Sequence, residues 1–349
     1  MPRKTFLRLA LGVVIGIVLL WILFRKTDWA EVATSIRGID QRWLGLAILC
    51  TVANQVIRTQ RWSYIVRSSD QSRFRSLFSA TQISAMVNFL IPARVGELIR
   101  AFVLSQLEEI PLSRSIALTT LDRVYDLLII ILMVLVTLFV FPIDQDVVIG
   151  PHTIGNEDTI VFSGKILKPA FIGLSAAFLI AVSVLAFVYF RSDVVLSLSR
   201  RVFNVFSEKL TSRLESFFTN FSKGMSIFET TSAQAKCLLL SLFLWAGQVA
   251  SVACVIAAFG ITFAWYVPLF ILCATALFIA FPLTPGMIGQ FHLSVMISLM
   301  IAIPETQAAE AKAVAIVTHM VGCLPLIILG MICSFREGFS IKALKQELA

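Results

Sequence analysis

NFLIPARVGELIR, residues Asn88 to Arg100, lies where a membrane helix belongs and cannot form one. Pro92 removes an amide donor, Gly96 loosens the backbone, and Arg94, Glu97 and Arg100 place three charges beside an apolar run. Far downstream, Phe281 to His292 reads FPLTPGMIGQFH. With Pro285 set under Pro92, Gly289 falls under Gly96, Ile288 under Val95 and Gln290 under Glu97. Paired Gly/Pro-interrupted apolar segments at matching places in two halves point to the central site of a transporter built from inverted repeats.

Working outward, the whole chain is apolar. Of its 349 residues 58% are hydrophobic and 14% charged, outside the range of a soluble domain, so the class is an all-α polytopic membrane protein. The net charge of +8 is assigned to loops facing an anionic leaflet and not to nucleic acid, since no basic stretch is interleaved with aromatics in a polar setting. The six cysteines sit in apolar stretches without ligand spacing, and His152, His292 and His319 are scattered, so neither a metal nor another cofactor is expected.

The hydropathy pattern predicts about six full spans and two re-entrant helical hairpins in one membrane domain covering residues 1–349. The first span, Leu9 to Phe24, resembles a signal peptide but is followed by Arg25 and Lys26 with no small-residue cleavage site. Asp28 to Asp40 reads as a short helix on the outer surface. The second span, Trp43 to Val66, carries Arg58 and Arg61 on one face; Arg61, near its end, is expected to snorkel, while for the deeper Arg58 both snorkelling and an internal polar cavity stay open. The 16 residues from Ser76 to Ile91 make about 24 Å of helix, short of a hydrocarbon core of about 30 Å. With the second arm they form a hairpin over 76–106 within a first half, 1–141.

The third span, Ser115 to Phe141, sets Asp122 and Asp126 one turn apart with Arg123 beside them; Arg94 and Arg100 are their expected partners. The loop from Pro142 to Lys168 reads as exterior, and the fourth span as Pro169 to Phe190. Residues 191–236 form a basic amphipathic segment, on the inner leaflet or against the protein's own cytoplasmic face. The second half, 237–335, holds a fifth span from Cys237 to Phe259, a second hairpin over 266–303 and a last span from Ala313 to Phe335. In this drawing 17 lysines and arginines lie in cytoplasmic segments against 7 outside, with both termini in the cytoplasm and the plasma (inner) membrane as the location.

Two hairpins entering from opposite faces bring their breaks together at mid-depth, where backbone amides at the half-helix N-termini, aided by Arg94 and Arg100, suit an anion such as phosphate. The expected substrate-binding residues are Arg58, Asn88, Pro92, Arg94, Gly96, Glu97, Arg100, Arg123, Pro285, Gly286, Gly289 and Gln290. Glu97, Asp122 and Asp126, the acids deep in the membrane, are the candidates for ion coupling.

Through IRTQRW (Arg58, Arg61, Trp62), NFLIPARVGELIRAFVL, LDRVYDLL (Asp122, Arg123, Asp126) and PLTPGMIGQFH, the chain resembles the family of the transmembrane region of lysylphosphatidylglycerol synthase, flippase-like membrane proteins. The resemblance implies movement of a phospholipid, a polyprenyl-phosphate-linked sugar or a related amphiphile, with membrane lipids bearing an anionic headgroup or lipid-linked phosphate as partners. Family members often carry a glutamate just after the second Pro-Gly element, where this chain has Gln290 or His292. The chain stops at Ala349 without the aminoacyl-transfer domain of the bifunctional members, so synthesis of an aminoacylated lipid is not expected and the protein is read as no enzyme. The competing readings are a lipid-carrier glycosyl or aminoacyl transferase and a non-transporting partner of a lipid-modifying enzyme.

Overall fold

The computed structural model describes residues 3–67, 71–91, 95–141, 147–149, 160–162, 231–279 and 284–339, with scattered helical positions between 165 and 184. Ten helices carry these residues: α1 (Arg3–Phe24), α2 (Trp29–Arg37), α3 (Gln41–Arg67), α4 (Phe74–Leu90), α5 (Gly96–Glu108), α6 (Leu112–Val140), α7 (Thr231–Ala258), α8 (Val267–Phe278), α9 (Gln290–Ala302) and α10 (Ala308–Arg336). One element departs from the all-helical expectation. Val147–Ile149 and Ile160–Phe162 pair as an antiparallel ribbon inside the stretch expected to be a loop, because VVI and IVF are rich in residues that favour extended backbone. The fourth span falls largely, and the basic segment up to residue 230 wholly, outside the described residues.

Four runs are long and apolar enough to cross a membrane: α6, α7, α10 and Pro285–Ala302. The last is broken at its start, where the turn Pro285–Met287 contains Gly286 in the left-handed region (φ 58°), so its regular part is α9. Of the other expected spans, α1 is a shorter apolar run over Gly12–Phe24. α3 has the length, 27 residues or about 40 Å, but buries a polar stripe of Thr51, Asn54, Gln55, Thr59, Arg61 and Ser63. Outside these, Asp28 caps α2 by accepting from the Ala30 and Glu31 amides at 2.8 and 3.3 Å, and α2 packs on α10.

The four half-length helices form two antiparallel hairpins. In the first, Arg73 at the start of α4 pairs with Glu108 at the end of α5 (3.3 Å), while Asn88 near the end of α4 accepts from the Gly96 amide at the start of α5 (2.8 Å). In the second, Ser294 of α9 bonds Thr275 of α8 at 3.2 Å, and the Gln290 carboxamide donates to the Phe278 carbonyl. α10 runs beside both. Its C-terminal end holds the base of the first hairpin through Arg336, Glu337 and Ser79, and α9 leads into its N-terminal end. Midway, His319 bonds the Gly286 carbonyl oxygen at 3.0 Å. There the tips meet: a Cβ on Gly286 would lie 2.7 Å from the Phe89 carbonyl oxygen, so both its positive φ and its neighbour require glycine.

The pseudo-repeat extends beyond the two motifs. The shift of 193 residues that sets Pro285 under Pro92 also sets Gln248 under Gln55 and Gly247 under Asn54. α3 and α7 lie antiparallel along this seam, with Asn54 donating to Gln248 (3.0 Å) and Thr51 bonded to Ser251 (3.2 Å). The order long helix, arm, arm, long helix occurs as α3 to α6 and again as α7 to α10.

α10 approaches the first hairpin through Gly330, whose added Cβ would lie 2.3 Å from Met86 Cβ and 2.7 Å from the Gln82 carbonyl oxygen. Gly330→Ala is expected to lower stability by about 1–3 kcal/mol through overpacking. Gly45→Ala in α3, with nothing within 4 Å, is expected not to. Thermal unfolding in detergent compares the two.

Candidate functional site

Arg61 enters the protein from the polar stripe of α3, and its side chain has no exposed surface. It binds Asp122 at 2.8 Å, Asp126 at 2.7 Å and the Ser241 hydroxyl at 2.9 Å, tying α3 to α6 and α7. The expectation that it snorkels is therefore corrected: two carboxylates a turn apart give a buried guanidinium the bidentate partners that the bilayer edge would otherwise supply. The second oxygen of Asp122 accepts from Arg100 of α5 at 2.6 Å, and the Arg100 guanidinium lies over the Trp62 ring, 3.6 Å from its centre.

Asp126 also receives Arg58 (3.3 Å) and Arg123 (2.9 Å), and Arg123 lies 3.3 Å from Glu97. Of the expected partners of the two aspartates, Arg100 holds Asp122, whereas Asp126 is held by Arg58, Arg61 and Arg123; Pro92, Ala93 and Arg94 lie outside the described residues. Among the described residues four guanidiniums thus face three carboxylates, an excess of one positive charge.

Beside this cluster, between α3, the two hairpins, α7 and α10, opens a cavity of about 320 Å³. Arg58, Arg100, Arg123, Glu97 and Asn88 line its charged end, while Leu244, Leu272, Phe291 and Leu326 contribute apolar wall. The open question over Arg58 is thereby answered in favour of the polar cavity. Arg100 is 1% exposed, yet its Nε and Nη2 have no hydrogen-bond partner, two strong donors left over after Asp122 is satisfied.

The half-helix amides are arranged differently from the expectation. The Gly96 N–H is taken by Asn88, and the Gly289 N–H is taken by His292 Nδ1 at 3.3 Å, so these two amides are already engaged within the protein. Gly96 is demanded by packing: a Cβ there would lie 2.2 Å from the Ser84 carbonyl oxygen. Pro285, Gly286, Gly289 and Gln290 build the second break without lining the cavity, where the second hairpin presents Met287 and Phe291. Gly289, with φ 82°, instead packs against Leu19 and Gly16 of α1. Asp122 and Asp126 are engaged by guanidiniums, and Glu97 is the acid that reaches the cavity. Sequence reasoning missed His319 and the neutral wall of Thr51, Asn54, Gln55 and Gln248. His292 and His319, 27 residues apart in the chain, have ring centres 4.7 Å apart at the second tip. Among the described residues no group of three metal-ligating side chains assembles.

Arg61→Ala leaves two buried carboxylates without their shared cation, and a loss of about 3–5 kcal/mol in unfolding free energy is expected. Arg61→Lys is expected not to restore it, because one ammonium cannot reproduce the forked contacts to both aspartates. Arg58→Ala, at the cavity wall, is expected to cost less; denaturant unfolding in micelles ranks the three.

The arrangement bears on kinship as well. A relative from Haloferax volcanii, the glycosyltransferase AglD, is 22% identical over 323 residues, which are 89% of this chain and 51% of that protein, so the chain spans about half the relative's length. The sequence profile of the lysylphosphatidylglycerol synthase TM region matches residues 9–330, a stretch that includes both hairpins, the Arg61 cluster and the cavity. With its apolar helices, the chain is a multi-pass membrane protein and belongs to the lysylphosphatidylglycerol synthase TM region family.

Proposed function

We propose that the protein moves a phosphate-bearing amphiphile, a phospholipid or a polyprenyl-phosphate-linked glycan, between the leaflets of a membrane. The observation that carries this reading is Arg100: a nearly buried guanidinium in the wall of the cavity, with two donors unused. A guanidinium fork suits phosphate oxygens, and the excess positive charge of the cluster favours an anion. In this reading the hairpins are re-entrant and belong to an inverted repeat. Each arm, of 12 to 17 residues, reaches about 18–26 Å and turns back before crossing a core of about 30 Å. The headgroup enters the charged end while its tails stay in lipid. The plasma membrane, with both termini in the cytoplasm, follows from the distribution of basic residues.

A second reading, glycosyl transfer to a lipid carrier, is favoured by the name of the Haloferax relative. It requires a carboxylate free to act as base, and Asp122 and Asp126 are both held by arginines. The remaining reading is a membrane partner of a lipid-modifying enzyme.

Proteoliposomes with a fluorescent phospholipid separate these. Purified protein is expected to expose the inner-leaflet probe to an external quencher, and Arg58→Gln and Arg123→Gln, which alter cavity-lining cations, to slow that exposure at least tenfold. Movement at the wild-type rate in both variants sinks the proposal. Product formed from a soluble sugar donor favours the transferase, and neither activity leaves the partner role.

A further inference from the structure

α10 grips both hairpins, and each half of the helix grips a different one. On the N-terminal side His319 bonds the Gly286 carbonyl oxygen at 3.0 Å, its ring centre lies 5.0 Å from that of Phe291, and Lys312 donates to the Thr27 hydroxyl at 2.9 Å. This half is fastened to the second hairpin and to the turn after α1. On the C-terminal side Gly330 sits against Met86 and Gln82 of α4, Arg336 donates to the Ser79 hydroxyl, and Ser79 donates to Glu337 at 2.8 Å. That half is fastened to the first hairpin.

Between the two grips the helix is weakened. Pro325 has no N–H, so the Val321 carbonyl oxygen receives no helical bond at that step, although α10 runs unbroken from Ala308 to Arg336. Gly322 stands in the same turn, and a Cβ there would meet nothing within 4 Å. Packing therefore does not call for glycine at 322 as it does at 330; its effect there is to loosen the helix relative to alanine. Sharp bends in helices occur at proline and at glycine. Gly322 and Leu326 line the cavity, so the weak turn lies at the cavity's own level. On the opposite face Met320, Leu324 and Ile328 are exposed, which leaves that side of the turn bare. The contact between the hairpin tips straddles this point: Phe89 belongs to the hairpin held by one half of α10, Gly286 to the hairpin held by the other.

We infer that α10 is a hinge: bending between Val321 and Pro325 carries one hairpin away from the other, separates Gly286 from Phe89 and opens the cavity between them. α3 and α7, one from each half, are joined by the Thr51–Ser251 and Asn54–Gln248 pairs and form the fixed side of the motion. The inference concerns access to the cavity and not what the cavity holds; its bearing on lipid movement rests on the function proposed above.

Spin-label distance measurements on the full chain in lipid nanodiscs test this. Labels attached through Gln307→Cys and Phe335→Cys, both exposed and about 42 Å apart along a straight helix, report the bend of α10. Labels attached through Leu90→Cys and Ile288→Cys, also exposed, report the tips. A Cys50→Ser background keeps the labelling specific, because the other five thiols are buried. The wild type is expected to show two populations in both distances, a straight helix with close tips and a bent helix with separated tips. Gly322→Ala, whose methyl meets no neighbour, is expected to lower the bent population about fivefold, and Pro325→Ala to lower it further. A single population in the wild type, a bent fraction that neither substitution reduces, or a bend that leaves the tip distance unchanged overturns the inference. Neither distance depends on lipid movement, so failure here leaves the proposed function in place, and absence of movement in the proteoliposome assay leaves the hinge in place.

Discussion

Arg61 and the two aspartates it bridges form the contact on which the rest of the helical frame depends. Inside a low-dielectric interior none of the three charges is tolerable alone, and the arrangement persists because each satisfies the others with bonds of 2.7 to 3.0 Å. Three helices are thereby pinned at one depth, α3 through the arginine, α6 through the aspartates and α7 through Ser241. Asp122 extends the lock to the first hairpin, since its other oxygen holds Arg100. Arg100 is thus oriented by one nitrogen and left with two others that no protein group engages. The side chain that completes the ion-pair network is also the one on which the proposed anion binding rests.

The meeting of the hairpins obeys a second constraint, that backbone groups away from water must find partners. Each break supplies its own. Asn88 closes the first hairpin on the Gly96 amide, His292 closes the second on the Gly289 amide, and His319 reaches from α10 to the Gly286 carbonyl. His292 accepts at Nδ1, His319 donates from Nε2, and the two imidazoles lie side by side at the tip of the second hairpin. The tips touch there, Gly286 against Phe89.

The two halves share a frame but not a chemistry. Under the shift of 193 residues Arg58 corresponds to Ser251, Glu97 to Gln290, Arg100 to Leu293, Arg123 to Ile316 and Asp126 to His319. Charge is concentrated on the first half, and the second presents apolar and neutral hydrogen-bonding groups to the same cavity. An anionic amphiphile, charged at one end and apolar at the other, meets a cavity with that polarity.

Local sequence carried a good part of this. Half-length apolar runs flank PARVG and PGMIG, and the recurring spacing of Pro and Gly marks the two breaks as equivalent, because backbone chemistry at those residues is independent of neighbours. The pairing of charges was not legible. Arg58 and Arg61 have the same type and share a face, and nothing local tells a cavity-lining guanidinium from a fully buried one; Asp122 and Asp126, more than sixty residues away in the chain, decide it. The sequence by itself determined which segments must break and which apolar stretches carry charges. Only the tertiary structure decided which of those charges cancel and which remain available to a ligand, because cancellation depends on distances between helices that are remote in the chain.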